Sequence, residues 1–154
     1  MTESEKYMTE ALAEAEKALA AGEVPIGAVM VRNGEIIARG HNLRNTDKNP
    51  LRHAEIDVID AAAKIVGDWR LEDCVLYVTV EPCPMCAAAC SLARLARVVW
   101  GADDPDCGGM RGAIDVAAKA HLNHRTEMTP GVRRAECEKM LQDFFKAKRK
   151  KTQA

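Results

Sequence analysis

The sequence contains no run of about 18 apolar residues, so it predicts no helix that spans a membrane. Its first segment, MTESEKYMTEALAEAEKALAAGE, is acidic and lacks the basic start and apolar block of a signal peptide. No repeat, linker or low-complexity block divides the chain, and 154 residues suit one domain with a single core. We therefore expect a cytoplasmic protein whose residues 1–154 form one domain.

The chain also lacks an excess of positive charge, because 22 basic and 23 acidic residues leave a net charge of −1. The basic residues are unevenly distributed: five of them lie in the segment KAKRKK at 146–151. A basic tail on an acidic body is suited to binding a phosphate backbone. It is equally suited to a solvated helix end that complements the helix dipole. Charge alone leaves both interpretations open.

Hydrophobic periodicity and turn residues predict a three-layer α/β/α fold, with a central mixed sheet and helices on both faces. Asn33-Gly34 is a pair that tight hairpins favour, and the apolar run CVLYVTV is typical of a strand buried on both faces. The predicted helices cover about residues 4–21, 53–67, 84–95, 113–121 and 131–149, and the predicted strands about 26–31, 35–40, 74–80, 97–101 and 124–128.

Two of these helices have a clear apolar face that we expect to be buried. On the first helix that face comprises Met8, Leu12, Ala15 and Leu19. On the helix that begins near His53 it comprises Ile56, Ile59, Ala63 and Val66.

Six cysteines are present, and three of them crowd between positions 83 and 90. A reducing compartment and this crowding argue against a disulfide framework. Metal binding is the better interpretation for at least two cysteines. We expect the others to be small buried apolar residues.

His53-Ala54-Glu55 opens one predicted helix, and the segment Pro82-Cys83-Pro84-Met85-Cys86 opens another directly after the buried strand. Residues i and i+3 share a helix face, so Cys83 and Cys86 can direct their sulfurs to one point. Two thiolates and one imidazole make three ligands for tetrahedral zinc and leave a position for water, which is typical of a catalytic site. Helix N-termini favour such anionic groups. Glu55 is placed to act as general acid and base without being a ligand.

Two other interpretations of the cysteine pair remain open on the residues alone. A structural zinc site would need a fourth protein ligand, which Cys90 or His41 could supply. A thioredoxin-like redox pair would want an aromatic residue beside the cysteines, where this chain has Glu-Pro. The joint pattern of H-A-E followed by P-C-P-M-C is the specific feature.

This joint pattern resembles the cytidine deaminase superfamily, whose signature is H-x-E followed by P-C-x-x-C. The resemblance is greatest to the bacterial tRNA adenosine deaminases and covers nearly the whole chain. The matching stretches are EVPIGAVMV (23–31), GHN (40–42), HAEI (53–56), WRLEDCVLYVTVEPCPMC (69–86), RVVWGA (97–102), LNHR (122–125) and LQDFFKAKRK (141–150).

The resemblance implies a cytidine-deaminase-like fold, a single zinc ion on His53, Cys83 and Cys86, and Glu55 as the proton carrier. A zinc-activated water would attack C6 of adenine to give inosine at the tRNA wobble position. The resemblance further implies a homodimer that binds the anticodon stem-loop. The implied substrate contacts are Asn42, the N–H of Ala54, the carbonyl of Pro82, the pocket residues Ile26 and Val80, and outside the pocket Asp104, Asn123, Phe145 and the basic tail.

Several alternatives stay open beside these assignments. Asn42 could instead stabilise a turn. Of Phe144 and Phe145, we expect one in the core and the other free to stack on a nucleotide. Arg52 stands where the tRNA enzymes usually have alanine, and Met110-Arg111 departs from their usual loop near the expected substrate entrance. The reaction could therefore act on a free base such as guanine or cytosine. A zinc-stabilised interaction module is the non-enzymatic alternative.

Overall fold

The computed structural model describes residues 1–116 and 124–153. Within them the chain forms a five-stranded mixed sheet with helices on both faces, as the sequence predicts. The elements are α1 (Glu3–Ala20), β1 (Gly27–Arg32), β2 (Glu35–His41), α2 (Ala54–Val66), β3 (Cys74–Val80), α3 (Pro84–Leu92), β4 (Arg97–Ala102), β5 (Glu127–Thr129) and α4 (Arg134–Gln153).

The strand order in the sheet is β2-β1-β3-β4-β5. β1 pairs antiparallel with β2 and β3, whereas β3–β4 and β4–β5 are parallel. Asn33 and Gly34 join β1 to β2, and both have the positive φ angles, 51° and 77°, that a tight hairpin turn of this kind requires. β3 lies at the centre of the sheet and is buried along almost its whole length, which confirms the prediction made from CVLYVTV.

Helices cover the two faces of the sheet in pairs. α1 and α4 pack on one face, around Tyr77 of β3 and Val99 of β4. α2 and α3 pack on the other face, around Leu76 of β3 and Trp100 of β4. Since successive side chains of a strand point to opposite faces, each central strand contributes to both cores.

α1 approaches the sheet very closely at the start of β1. A Cβ atom on Gly27 would lie 2.1 Å from the carbonyl oxygen of Ala11, so only glycine fits there. The helix begins at the N-cap Thr2, whose side chain accepts a hydrogen bond from the N–H of Glu5. This close packing sets β1, and the loop that precedes it, against the body of the domain.

Two predicted apolar faces are partly wrong. Leu19 is 42% exposed, because α1 ends at Ala20 where the sheet no longer covers it. On α2 the most buried residues are Ala54, Val58 and Ala62, one position away from the predicted stripe. Ile59 and Val66 only border that core. Small residues allow α2 to lie close to β2, so the helix turns these towards the sheet and its larger side chains towards the edge.

Helix boundaries differ from prediction where the backbone becomes left-handed. α3 ends at Leu92 rather than by Leu95, since Arg94 has a φ of 58°. α4 begins at Arg134 rather than 131, after Gly131 and Arg133 with φ angles of 82° and 53°. A short helix is predicted over 113–121; residues 113–116 are not helical, and the rest of that segment lies outside the described residues. Among the described helices, none combines the length and apolar character needed to cross a bilayer.

Candidate metal centre and its cavity

His53, Cys83 and Cys86 converge on one point in the structure. Nδ1 of His53 lies 3.5 Å from Sγ of Cys86 and 3.7 Å from Sγ of Cys83, and all three donor atoms lie within 4.8 Å of one another. Tetrahedral zinc, with bonds of about 2.0–2.1 Å to nitrogen and about 2.3 Å to sulfur, sets such donors about 3.5–3.6 Å apart. The spacing and the donor types therefore fit a zinc ion with three protein ligands.

Helix starts place these donors. His53 is the N-cap of α2 and Cys83 is the N-cap of α3, both with extended backbone angles. Pro84 occupies the first turn of α3, a position that favours proline, and Cys86 follows within the same turn. The first-turn amides of both helices thus face the donor cluster, and their partial positive charge stabilises thiolates there.

The three donors also set each other's protonation. A hydrogen bond from the Cys86 thiol, helped by one from His53, lowers the pKa of Cys83 to about 4. The same bond to Cys83, together with burial, raises the pKa of Cys86. The bond to Cys83 also raises the pKa of His53. The cluster therefore contains a thiolate near neutral pH, which is the form of cysteine that binds a metal.

Within the described residues, the donor cluster has no fourth protein ligand. Cys90 is fully buried in α3. Nδ1 of His41 lies 3.4 Å from Oε1 of Glu14, on the other side of β2. Neither of them joins the three donors, so the structural-zinc interpretation gains no support. An open coordination position is what distinguishes a catalytic zinc site from a structural one.

Glu55 lies beside the donor cluster in the first turn of α2 and is 4% exposed. Burial raises the pKa of its carboxyl group to about 7. A carboxyl group with a pKa near the working pH exchanges protons readily in both directions, which is what a general acid and base needs. A carboxyl group suited to proton transfer therefore lies beside the donor cluster.

A cavity of about 430 Å³ opens above this group. We call the donor cluster and Glu55 the cavity floor. We call the loops 42–49 and 103–112, together with Phe145 of α4, the cavity rim. The lining residues are Val24, Ile26, Asn42, Arg44, His53, Ala54, Glu55, Val80, Glu81, Cys83, Asp104, Cys107 and Phe145.

Asn42 has the turn role that the sequence left open and also lines the cavity. Its Oδ1 accepts a hydrogen bond of 3.1 Å from the N–H of Arg44. Its loop is held from below by Glu23, a fully buried carboxylate. Glu23 accepts bonds from the N–H of Asn45 at 3.1 Å and from the N–H and hydroxyl of Thr46 at 2.6 and 2.7 Å. The position of Asn42 in the rim is therefore fixed by several bonds.

Most of the sequence-predicted site residues meet at this cavity. Pro82 and Cys86 are buried just beneath its lining, and Asn123 lies outside the described residues. The sequence interpretation missed Val24, Arg44, Glu81 and Cys107. Val24 and Glu81 belong to stretches that carry the family resemblance, and Arg44 lies two residues after one of them, whereas nothing in the sequence marked Cys107.

Other residues lie differently from expectation. Cys107 is exposed rather than buried, because its loop turns outward at the rim. Neither phenylalanine is in the core: Phe144 is half-buried and Phe145 is exposed. Met110 is fully buried in the core beneath α2 and α3 rather than at the entrance. Nε of Arg52 lies 3.1 Å from Oδ2 of Asp47 and 3.3 Å from Oδ1 of Asp57, so Arg52 joins the first rim loop to α2.

Known proteins that are similar to this chain are deaminases, in agreement with the donor cluster and its cavity. Residues 2–149 match the family model of the MafB19-like deaminases. The chain is 53% identical to a tRNA-specific adenosine deaminase of Bacillus subtilis (strain 168), over 100% of this chain and 96% of the relative.

Two solved structures are also similar. A tRNA:A34 deaminase, studied for A-to-I editing at the wobble position of transfer RNA, has a TM-score of 0.85 and 40% identity, over 88% of this chain and 99% of that one. A guanine deaminase from Bacillus subtilis has a TM-score of 0.62 and 37% identity, over 77% of this chain and 69% of that one.

The chain therefore belongs to the MafB19-like deaminases, and within them to the family of tRNA-specific adenosine deaminases. It is a hydrolytic deaminase. This membership favours an enzyme over the interaction module that the sequence left open.

Proposed function

We propose that this protein deaminates adenosine to inosine at the wobble position of tRNA. The observation that carries the proposal is the cavity floor: an open three-donor cluster with a buried carboxyl group beside it, at the bottom of a cavity of a size suited to a flipped-out nucleoside. Two similar proteins, a tRNA-specific adenosine deaminase and a tRNA:A34 deaminase, support tRNA as the substrate over a free base.

Zinc is the metal that His53, Cys83 and Cys86 would hold, because soft thiolates with imidazole at tetrahedral spacing select it over magnesium or calcium. When bound, zinc lowers the pKa of a coordinated water to about 7 and so supplies a nucleophile near neutral pH. The protein's own residues perform the remaining steps.

Glu55 carries the protons. Its carboxylate accepts a proton from the attacking water, delivers it to N1 of adenine, and then assists the departure of ammonia from C6. The N–H of Ala54 and the carbonyl of Pro82 orient the base, while Ile26 and Val80 provide apolar walls on either side. Removal of the base from its stack into this cavity brings C6 within reach of the nucleophile.

The cavity rim would contact the nucleotides around the reacting base. Asn42 and Asp104 line the cavity, and Phe145 presents an exposed ring at its edge. Phe145, Lys148 and Arg149 together border a second surface pocket on α4, so an aromatic ring adjoins the basic tail. Such a combination suits an unpaired loop with its phosphates. Asn123 belongs to this proposal through the family resemblance alone.

A homodimer is part of the proposal. Three large apolar side chains are exposed at or just after the C-terminal ends of α2 and α3: Ile65, Trp69 and Leu92, which are 61%, 57% and 60% exposed. A second copy would cover them. Sedimentation equilibrium should give twice the chain mass, and Leu92→Asp should reduce that mass towards the monomer.

The proposed substrate also implies a cytoplasmic location, in agreement with the expectation from the sequence.

The test is a direct substrate comparison. Zinc-loaded protein is incubated with an anticodon stem-loop that has adenosine at the wobble position, with the same stem-loop carrying that adenosine one position away, and with free guanine and free cytosine. Mass spectrometry identifies each product. Inosine in the first stem-loop alone is the expected result, and Glu55→Gln protein purified in parallel excludes a contaminating deaminase. Turnover of a free base with inert RNA would overturn the proposed substrate.

A further inference from the structure

Glu81 is a buried carboxylate at the cavity that none of the steps above uses. It follows the last residue of β3 and is 3% exposed. Its Oε1 accepts a hydrogen bond of 3.1 Å from the N–H of Asp104. Its Oε2 accepts three more, from the N–H groups of Met110, Arg111 and Gly112 at 3.2, 2.8 and 2.8 Å. Backbone donors therefore surround a charge that would otherwise be costly to bury.

The glycines of the 103–112 loop make this arrangement possible. A Cβ atom on Gly108 would lie 2.5 Å from Oε2 of Glu81, and one on Gly112 would lie 3.1 Å from both carboxylate oxygens. The loop backbone thus wraps around the carboxylate without side chains between them. Successive amides that face one anion form a nest, the kind of backbone concavity that often binds phosphate. Here the anion comes from the same chain.

The same loop reaches the substrate position at two points. It carries Asp104 and Cys107, which line the cavity. In addition, the N–H of Gly109 donates a hydrogen bond of 2.7 Å to the carbonyl of Pro82, the group assigned to orient the base. Glu81 therefore connects the loop's position to the residues that would contact the nucleotide.

We propose that Glu81 is a positioning residue for substrate recognition: its carboxylate holds the 103–112 loop so that Asp104 and the Pro82 carbonyl keep their places beside the reacting base. This inference rests on the proposed function. Glu55 and the donor cluster lie at the starts of α2 and α3, and the loop touches this region only through Gly109, beside Pro84, and Met110 in the core, neither of which carries a donor atom. Loss of the carboxylate should therefore raise KM more than it lowers kcat.

Two substitutions of Glu81 should raise KM to different degrees, because they remove different numbers of hydrogen bonds. In Glu81→Gln, the amide oxygen can take the place of Oε2 and keep three bonds, while its NH2 group then faces the N–H of Asp104. We expect KM for the stem-loop to rise about tenfold, the effect of one charge-assisted hydrogen bond. Glu81→Ala removes all four bonds and should raise KM further. Zinc content should stay unchanged in both variants.

Hydrogen exchange of the backbone amides measures directly whether the 103–112 loop keeps its hydrogen bonds to Glu81. The Asp104 amide should exchange faster in Glu81→Gln, and the amides of Asp104 and of residues 110–112 should all exchange faster in Glu81→Ala. Glu127→Gln removes an exposed carboxylate that pairs with Arg97 on β4, and it should change neither KM nor exchange at the loop. This control shows whether an effect of Glu81→Gln arises from the position of Glu81 or from the loss of any one negative charge.

Three results would overturn the proposal. Faster exchange with an unchanged KM would mean that the loop does not serve recognition, and unchanged exchange would mean that Glu81 does not hold it. Loss of zinc would assign Glu81 to the metal site. If Glu81→Ala does not fold, Gly112→Ala disturbs the same contact from the loop side, since its Cβ would lie 2.3 Å from the Asp104 carbonyl. If the wild-type protein converts only a free base, the proposed function fails, while KM for that base still decides the role of Glu81.

Discussion

The cavity floor and the cavity rim hold their residues in different ways. On the floor, His53 and Cys83 are helix N-caps and Cys86 follows within one turn, so two helices packed on the sheet fix all three donor atoms. The rim loops have no regular structure. In each loop, backbone N–H groups donate to a buried carboxylate, Glu23 or Glu81, that lies 22 to 31 residues away along the chain.

This difference separates two tasks of the enzyme. The floor must keep a fixed geometry for the chemical step, and helix starts provide it because their backbone is rigid. The rim would contact the substrate around the reacting base, and irregular loops can follow a surface that a regular helix cannot. We therefore expect substitutions on the floor to abolish turnover, and substitutions in the rim to change substrate affinity and stability.

The largest effect should come from removing a donor from the floor. Cys86→Ala leaves two ligands, so zinc and deaminase activity should be lost together. Cys90→Ala is the matched control, because Cys90 is a buried cysteine one turn further along α3 that does not join the donor cluster. Metal analysis of both purified variants, beside an activity assay, measures the outcome. Full zinc content in Cys86→Ala would show that the ligand set is wrong.

The next largest effect should come from Glu55, whose substitution should lower turnover without changing metal binding. Glu55→Gln keeps the shape of the side chain but cannot carry a proton, so kcat should fall by about 10²- to 10⁴-fold. Zinc content should remain at the wild-type level, since Glu55 is not among the three donors of the cluster. Asp60→Asn, which removes an exposed carboxylate from the same helix, should have no effect on kcat. A Glu55→Gln enzyme with normal turnover would exclude the proton-carrier role.

The floor could be predicted from sequence because its determinants are local. His53 and Glu55 are two residues apart, Cys83 and Cys86 share one helical turn, and Pro84 marks the start of α3. The hairpin at Asn33-Gly34 and the buried strand β3 are local in the same sense. Helix geometry then converts these short spacings into directions, and the family resemblance brings the two helices together.

The rim was not predictable in this way because its bonds join distant residues. Nothing near Glu23 or Glu81 in the sequence indicates that each carboxylate will be buried under a loop that follows much later. The exposure of Cys107 depends on that arrangement as well. Arg52 illustrates the same limit: its neighbours do not reveal that its guanidinium lies between Asp47 and Asp57.

A stability measurement can test the first rim anchor. Glu23→Gln should lower the free energy of unfolding by about 1–3 kcal/mol, because backbone donors at Asn45 and Thr46 lose a charged acceptor. Burial alone would raise the pKa of Glu23, but the hydrogen bonds from Thr46 and Asn45 outweigh it and lower that pKa.

The sign of the pH dependence follows from that lowered pKa. The carboxylate stabilises the fold above the pKa of the unfolded chain, and this contribution is lost as the pH falls through the folded value. Urea denaturation at two pH values should therefore show a smaller loss on acidification in Glu23→Gln than in the wild type. An equal loss in both proteins would argue against Glu23 as an ionised anchor.

The smallest effect should come from the aromatic residue of the rim. Phe145 is 43% exposed at the cavity edge, so Phe145→Ala should weaken stem-loop binding by about 1 kcal/mol, the lower end of what stacking on one base contributes. Phe144 is the matched control, since it borders a groove between α1 and α4 instead of the cavity. Fluorescence anisotropy of a labelled stem-loop compares the two alanine variants. A greater loss in Phe144→Ala would place the RNA on the α1–α4 groove and would remove Phe145 from the rim's contact surface.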